Sequence, residues 1–288
     1  MVAVAGLSLY ATARFGLWSG IIAHVNFAYS GLWAGVGCGF MGCWMLYDSK
    51  IGKLKEREKL LDLVLWRGNE TVLDIGCGRG LLLIGAARRL TSGKAVGLDL
   101  WQAEDLTGNR SEATLDNARR EGVSDRVDVK TGDMRKMPFP DASFDIVSCR
   151  VCAHHFGRAR AAVGEMARVL RPGGELLLID SISPEDPAQD TFLNAIELLR
   201  DPSHVRNYRV SEWLAWFGEV GLEGSHVRTF PTFLDFENWT ARMNTPEHER
   251  EQLRRLMNAA PAEVRAAFEV APNHDWKIPL ALLRATKP

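Results

Sequence analysis

The pattern of apolar and polar positions predicts regularly alternating strands and helices from about residue 54 onward. Short apolar runs are typical of buried strands, and longer segments with apolar residues at helical spacing are typical of helices. The predicted strands up to Asp180 are 71–75, 95–98, 127–130, 143–149 and 175–180, and the predicted helices are 55–66, 81–90, 111–121 and 159–170. Such alternation indicates a parallel sheet covered by helices on both faces.

The pattern is less regular after Asp180, where it still adds two strands. The predicted helices there are 189–199, 211–220 and 246–268, and the predicted strands are 224–230 and 278–285. We therefore predict an α/β fold with a doubly wound, mostly parallel Rossmann-like sheet of about seven strands, the last one antiparallel, and an N-terminal apolar helical segment. The predicted parts of the chain are 1–49, 50–185 and 186–288.

The N-terminal segment differs in composition from the rest of the chain. Residues 15–47 include no Asp, Glu, Lys or Arg in 33 positions. A membrane-spanning helix needs about 20 apolar residues, and the stretch 48–59 that follows carries five basic residues, as expected of a cytoplasmic flank. We expect 1–49 to anchor the chain at the cytoplasmic face of a membrane. The alternative is a glycine-rich helical hairpin packed on the domain or on a second subunit, which leaves a homo-oligomer open.

Charge and cysteine content exclude several classes of function. The 35 basic and 36 acidic residues of the 288-residue chain nearly cancel, and basic residues form no stripe interleaved with aromatic ones. Nucleic acid is therefore not expected as a partner. The five cysteines form no paired framework, which indicates a reducing compartment. A single C-x-x-C, Cys149 to Cys152, is weak support for zinc, and we predict no metal.

Candidate chemistry collects at the predicted carboxyl ends of three successive strands, where open parallel sheets bind ligands. After the first strand, Gly76 and Gly78 would let backbone N–H groups approach a ligand at the start of the next helix. After the second strand, Asp99 can accept hydrogen bonds from both hydroxyls of a ribose. After the third strand, Asp133 and Met134 are placed to read an adenine edge. The three strand ends together predict a nucleoside site.

The residues around the glycines indicate which nucleoside is bound. A dinucleotide motif, G-x-G-x-x-G, needs a small residue where Leu81 stands. Asp74, two residues before Gly76, suits a positively charged ligand better than a pyrophosphate. S-adenosylmethionine carries an ammonium and a sulfonium group, and it fits this acid.

Four stretches carry a resemblance to a known family: "VLDIGCGRG" (72–80), "GLDL" (97–100), "TGDMRKMPFPDASFDIV" (131–147) and "EMARVLRPGGELLLID" (165–180). They resemble the class I S-adenosylmethionine-dependent methyltransferases, and most of all the ubiquinone/menaquinone C-methyltransferase-like small-molecule branch. The resemblance implies S-adenosylmethionine as cofactor, bound by 50–185, with 186–288 covering the acceptor pocket. The residues that it assigns to the cofactor are Asp74, Gly76, Gly78, Asp99, Leu100, Asp133 and Met134. We add Cys77, Trp101, Cys149 and Arg150 as expected cofactor contacts.

The chain departs from that family between Asp99 and the following helix, where "WQAEDLTGNRSEA" (101–113) adds residues to a usually short turn. Trp101 could stack on the adenine or on the acceptor. Asn109 could cap the helix or touch the cofactor, and a plain surface loop is the equal alternative.

The acceptor side follows the fourth strand, in "CRVCAHHF". His154 and His155 are candidate general bases there, because histidine can take a proton near neutral pH. We favour His155, which is nearer the next helix. The alternative is structural: one histidine caps that helix and the other packs in the core. His204 is a further candidate for the pocket wall, and Arg150 could instead anchor an anionic group of the acceptor.

The sequence therefore predicts a methyltransferase that acts on a small, apolar or membrane-associated acceptor without a metal. An arsenite- or thiol-type methyltransferase would need several cysteines at the acceptor, where only Cys149 and Cys152 are expected. A catalytically silent, membrane-tethered module that binds the cofactor is the alternative from another class.

Overall fold

The computed structural model describes residues 36, 39, 52–102 and 108–288. The helices are α1 Lys53–Leu61, α2 Leu81–Arg89, α3 Ser111–Arg120, α4 Ala159–Val169, α5 Pro187–Arg200, α6 Val210–Glu219, α7 Phe236–Ala241, α8 Glu247–Ala259 and α9 Ala262–Ala267. The strands are β1 Thr71–Ile75, β2 Lys94–Asp99, β3 Val127–Thr131, β4 Phe144–Arg150, β5 Leu170–Ser181, β6 Glu223–Leu234 and β7 Trp276–Thr286. A short 3-10 helix covers Ala153–His155.

All strands of the described chain belong to one seven-stranded sheet, in the order β3-β2-β1-β4-β5-β7-β6. Neighbouring strands among β1 to β5 pair in parallel, whereas β7 runs antiparallel to both β5 and β6. The prediction of a doubly wound, mostly parallel sheet with an antiparallel last strand is confirmed. The order reverses between β1 and β4, and such a switch point leaves a crevice at the carboxyl ends of the strands.

Residues Leu63–Pro288 form one compact unit. The predicted division between 185 and 186 falls inside it, because β7 pairs with β5 over seven residues from Glu175 to Ser181. The part after 185 thus completes the same sheet that carries the strand-end acids.

The predicted turn "RPGG" is a bulge within β5. Phe144 pairs with Leu170 and Ile146 pairs with Glu175, so residues 171–174 loop out of the ladder. Gly173 has a φ of 75°, a backbone conformation that glycine adopts without a steric cost. The strand consequently starts earlier than the apolar run alone predicts.

Helix α5 fixes the part of the chain that follows it. Asp186 caps its first turn by accepting hydrogen bonds from the backbone N–H groups of Ala188 and Gln189, both at 3.0 Å. Its buried Leu193 and Ile196 lie in an apolar cluster with Trp239, Trp276 and other aromatic residues. Because α5 is fixed at its first turn and along one face, it also fixes the position at which residues 201–209 begin.

Two predictions about the N-terminal part have different outcomes. The predicted helix 55–66 is wrong at its end: α1 stops at Leu61, and the side chain of Leu65 is 89% exposed. The predicted apolar segment 1–49, with its membrane anchor 15–47, lies outside the described residues except for positions 36 and 39. Among the residues that the structure describes, no helix is long and apolar enough to span a bilayer.

Candidate active site

The glycine turn between β1 and α2 packs closely against the segment that follows β4. Gly76, Gly78 and Gly80 have φ values of 63°, 48° and 85°, in the left-handed region that favours glycine. A Cβ added at Gly76 would lie 2.2 Å from Sγ of Cys152. The close approach that we predicted for a ligand is therefore made, at Gly76, by a neighbouring side chain of the protein.

Asp74 is buried beneath this turn rather than displayed on it. Its side chain is 3% exposed; Oδ1 accepts a hydrogen bond from the Ser148 hydroxyl at 2.7 Å, and Oδ2 accepts one from the backbone N–H of Leu83 at 3.0 Å. Burial raises the pKa of Asp74 to about 7, although both hydrogen bonds favour the charged form. Asp74 thus links β1, β4 and α2, and its predicted contact with a cationic ligand stays a prediction.

Asp99, at the end of β2, connects the glycine turn to the inserted loop. Its Oδ2 accepts the backbone N–H of Gly78 at 2.8 Å. Its Oδ1 accepts the backbone N–H of Trp101 at 2.7 Å and Nδ2 of Asn109 at 3.1 Å. The carboxylate therefore lies at the carboxyl end of β2, next to the turn that follows β1, as predicted from the sequence. Leu100, beside it, is exposed.

Trp101, two residues after Asp99, connects the end of β2 to the end of β3. Its φ of 59° is unusual for a side chain of this size. The indole Nε1 donates a hydrogen bond to Oγ1 of Thr131 at 2.9 Å, so the ring is tied to the end of β3. The predicted stacking of Trp101 on the adenine or on the acceptor stays a prediction.

Asp133 follows β3, and its carboxylate forms an ion pair with Arg135. Nη2 of Arg135 lies 2.5 Å from its Oδ2, and Nε lies 3.0 Å from its Oδ1. Hydrogen bonds from Arg135 hold the pKa of Asp133 below its usual range. An adenine base that forms a hydrogen bond with the Asp133 carboxylate would therefore share it with the guanidinium group of Arg135. Met134, next in sequence, packs against the main apolar core.

The cysteines near the turn are largely buried, Cys77 and Cys149 fully and Cys152 in part. Burial raises the pKa of the Cys77 thiol, and a hydrogen bond with Cys152 together with burial raises that of Cys149. The thiols of Cys77 and Cys149 are therefore neutral and poorly nucleophilic at neutral pH. The positive charge of Arg150, at the end of β4, opposes the rise in the pKa of Asp74 that burial causes.

His154 and His155 form the end of the 3-10 helix after β4, and their ring centroids are 4.2 Å apart. Nδ1 of His154 lies 2.6 Å from Oδ1 of Asp180. Burial lowers the pKa of His154, but the charge of Asp180, its hydrogen bond and the charges of Glu197 and Asp201 together outweigh burial, so that the pKa is raised overall. Nδ1 of His155 lies 3.1 Å from the backbone carbonyl oxygen of Ser203. The structure thus brings both predicted histidines to the carboxyl end of β4.

His204 joins this group from the segment after α5. Its ring stacks on His154 with centroids 5.7 Å apart, and its Nε2 lies 3.4 Å from Oδ1 of Asn194. Burial and the neighbouring His154 lower the pKa of His204 to about 4, so this ring is neutral at neutral pH. The backbone N–H groups of Val205 and Arg206 both donate to the carbonyl oxygen of His154 at 3.0 Å. The segment 201–209 is thereby hydrogen-bonded to the 3-10 helix at 153–155, which we call the histidine turn.

Two buried groups of this region were missed by sequence reasoning. Asp180 ends the apolar run "ELLLID", and its position after a strand was the signal that could have marked it. Ser148, inside β4, could not be recognised from the sequence. Its hydrogen bond with Asp74 depends on the pairing of β1 with β4, which a serine within an apolar run does not reveal.

A surface cavity of about 530 Å³ lies between the start of α4 and α6. Its wall includes Arg158, Tyr208 and Trp216, but none of the strand-end acids. The Tyr208 hydroxyl donates a hydrogen bond to the carbonyl oxygen of Phe156 at 3.1 Å, which connects this wall to the histidine turn.

Comparison with known proteins agrees with this geometry. Residues 73–178 match the family described as methyltransferase domain. The chain is 36% identical over 209 residues to the uncharacterized methyltransferase YcgJ of Bacillus subtilis, a match that covers 73% of this chain and 79% of YcgJ. The crystal structure of YcgJ matches with a TM-score of 0.73 and 33% identity over 82% of this chain and 98% of that one. This chain belongs to the methyltransferase family.

The methyltransferase also has a relative with a named acceptor. It is 29% identical over 239 residues to the 27-O-demethylrifamycin SV methyltransferase of Amycolatopsis mediterranei, covering 80% of this chain and 82% of that enzyme. The predicted enzyme class is thereby confirmed: the protein is an S-adenosylmethionine-dependent methyltransferase.

The residues present fit that cofactor. Oδ1 of Asn109 is buried and has no hydrogen-bond partner in the described part of the chain, while Nδ2 of the same amide is bound to Asp99. An acceptor without a donor at this place suits a ribose hydroxyl, which can donate to Asn109 or to Asp99.

Proposed function

We propose that this methyltransferase transfers a methyl group to a small, largely apolar acceptor that loses a proton in the reaction, such as a hydroxyl compound. The observation that carries the proposal is the contact between His154 and the buried Asp180, 2.6 Å long, at the end of β4. A histidine that a carboxylate orients at a strand end suits proton removal from an acceptor.

The proposed cofactor contacts are those at the three strand ends. Asp99 and Asn109 would hold the ribose, Trp101 would stack on the adenine, and the turn from Gly76 to Gly78 would hold the methionine part. S-adenosylmethionine supplies a methyl group on a positively charged sulfur that leaves as a neutral thioether. The remaining contacts predicted from the sequence, including those of Asp133 and Arg150, stay proposals.

The proposed transfer needs one proton acceptor. The acceptor oxygen bonds to the methyl carbon with its lone pair, the electron pair of the broken carbon–sulfur bond stays on the sulfur of S-adenosylhomocysteine, and the acceptor proton passes to Nε2 of His154. Alignment of the two reactants supplies much of the remaining rate acceleration. His155, which the sequence favours, is the second candidate, because its Nδ1 lies 3.1 Å from the carbonyl oxygen and 3.2 Å from the hydroxyl of Ser203 rather than next to a carboxylate.

The relative from Amycolatopsis mediterranei supports a small-molecule acceptor that is methylated on oxygen, since its name gives 27-O-demethylrifamycin SV as its substrate. The alternatives from the sequence are not favoured. An arsenite- or thiol-type reaction would need exposed thiolates, whereas Cys77 and Cys149 are buried with raised pKa values. A silent module gains nothing from a histidine paired with a buried carboxylate.

We further propose that residues 15–47 bring the enzyme to the cytoplasmic face of a membrane, where an apolar acceptor would dissolve. The support is the run of 33 residues without a charged side chain. This proposal is independent of the transfer itself.

The transfer is tested by incubating the protein with a lipid and metabolite extract and cofactor carrying an isotope-labelled methyl group, followed by mass spectrometry. We expect a labelled product of small mass whose formation falls about 10²–10⁴-fold in His154→Gln, with unchanged affinity for S-adenosylhomocysteine. His155→Gln is the matched variant one residue away. Full turnover in both variants would show that no histidine base is used.

A further inference from the structure

Asp180 accepts six hydrogen bonds although its side chain is only 2% exposed. Its Oδ2 accepts from the backbone N–H groups of Cys152, Ala153 and His154, the first at 3.1 Å and the last at 3.2 Å. Its Oδ1 accepts from Nδ1 of His154 at 2.6 Å and from the backbone N–H and hydroxyl of Ser181 at 2.7 and 3.3 Å. One carboxylate of β5 thus holds the turn after β4 and the ring of His154 together.

The hydrogen bonds decide the protonation of both partners. Burial alone would raise the pKa of Asp180, but His154 and the backbone N–H groups outweigh burial and lower it. An ionised carboxylate only accepts hydrogen bonds. Nδ1 of His154 must therefore carry a hydrogen, and Nε2 is the basic nitrogen of the neutral ring.

We propose that Asp180 is a positioning residue, which acts through His154: it fixes the ring in the tautomer whose Nε2 takes the acceptor proton, and it stabilises the imidazolium that results. This inference rests on the proposed function. It adds a residue of β5 that makes no contact with the acceptor or the cofactor in the proposed reaction.

The charges around His154 support the same arrangement. Asp180, Glu197 and Asp201 act to raise its pKa against the effect of burial. His155 and His204 are the other titratable neighbours, with ring centroids 4.2 and 5.7 Å away. His204 stays neutral, because its pKa is lowered to about 4. Since His204 adds no charge at neutral pH, it does not oppose the effect of the three carboxylates, which outweighs that of burial.

The test is Asp180→Asn in the full chain, read out by NMR titration of ¹⁵N-labelled histidine and by turnover. In the wild type we expect His154 to carry its hydrogen on Nδ1. In the variant we expect the titration midpoint of His154 to fall by about one pH unit and turnover to fall about 10²-fold, with unchanged affinity for S-adenosylhomocysteine. The acidic limb of the pH–rate profile should move by the same amount.

The matched control is Asp190→Asn. Asp190 is also a buried carboxylate, but it pairs with Arg206 at 2.9 Å and with Arg209 at 2.6 Å instead of a histidine. We expect this variant to lose stability without moving the midpoint of His154. If the titration midpoint of His154 moved equally in both variants, the shift in Asp180→Asn would reflect a general loss of structure and the positioning role would be rejected.

The two proposals fail in different ways. An unchanged midpoint and tautomer of His154 in Asp180→Asn would overturn the positioning role, whatever the turnover. A shifted midpoint together with full turnover of His154→Gln would show that Asp180 sets the tautomer and proton affinity of His154, but it would overturn His154 as the base and with it the role of Asp180 in the transfer. If Asp180→Asn does not fold, the wild-type tautomer decides, because a hydrogen on Nε2 of His154 contradicts the positioning role.

Discussion

Oδ2 of Asp99 accepts the backbone N–H of Gly78 at 2.8 Å, so the acid at the end of β2 holds the turn that follows β1. The same carboxylate is the proposed ribose acceptor. Its removal should therefore affect the ligand directly and should also loosen the glycine turn around it.

We expect Asp99→Ala to weaken binding of S-adenosylhomocysteine by about 1.5–3 kcal/mol, the usual range for hydrogen bonds to a charged group. This corresponds to a rise in Kd of about 10- to 150-fold. Isothermal titration calorimetry measures the change. Asp128→Ala is the matched control, because Asp128 is an exposed acid of β3 whose carboxylate bonds only to the adjacent backbone N–H of Val129. Equal affinities of the two variants would remove Asp99 from the site.

Gly76→Ala tests the packing of the glycine turn. Both Gly76 and Gly122 have positive φ values, 63° and 71°, but a Cβ at Gly122 meets no atom within 4 Å. We expect about 1–2 kcal/mol of destabilisation at either position from the backbone conformation. At Gly76 the contact with Cys152 adds about 1–3 kcal/mol. Chemical denaturation of the two variants gives the comparison, and equal losses would mean that Cys152 yields without cost.

Asp74 should make the folded protein less stable as the pH rises. Its pKa is raised to about 7 in the folded chain from about 3.8. The folded state therefore binds the extra proton between these values, and the resulting stability, present below pH 4, is lost as the pH rises through 7. Asp74 contributes at most about 1.4 kcal/mol per pH unit to the slope of the free energy of unfolding against pH.

Asp74→Asn should remove this slope, because an amide does not titrate here. Denaturation midpoints of wild type and variant measured at pH 5, 6 and 7 give the difference, to which the remaining groups contribute equally. Parallel curves for the two proteins would contradict the raised pKa of Asp74.

The proposed membrane segment is tested on the full chain. We expect it to sediment with membranes and to resist an alkaline carbonate wash, whereas a chain that begins at Lys50 should stay in solution and still bind S-adenosylhomocysteine. Leu32→Arg should weaken membrane retention, since an arginine costs about 2.5–3.5 kcal/mol at the centre of a bilayer. A full chain that stays in solution without detergent would reject the anchor.

The fold was predictable because its signals are local. Strands β1, β2 and β4 are short, largely apolar runs whose bounds can be read from the sequence, and Asp99 is the last residue of β2. Asp99 could be placed at a strand end for that reason. The bulge at 171–174 was visible as "RPGG", although the pairing on either side of it was not.

The contacts within the site were not predictable, because they join residues far apart in the chain. Asp180 and His154 meet only because β4 and β5 are neighbours in the sheet. Gly76 meets Cys152 although the two lie even farther apart in the chain than Asp180 and His154. The pair Asp133 and Arg135 is close in sequence, but its bidentate geometry depends on the backbone of the turn after β3.

The contact between Gly76 and Cys152 has a consequence for engineering this enzyme. Cys152 stands two residues before His154, on the proposed acceptor side, and it also forms the back of the glycine turn. A larger residue introduced there to change the acceptor range would press on the cofactor turn. Libraries at this position should therefore be screened at saturating cofactor, since variants with a useful new acceptor preference would otherwise be discarded for weak cofactor binding.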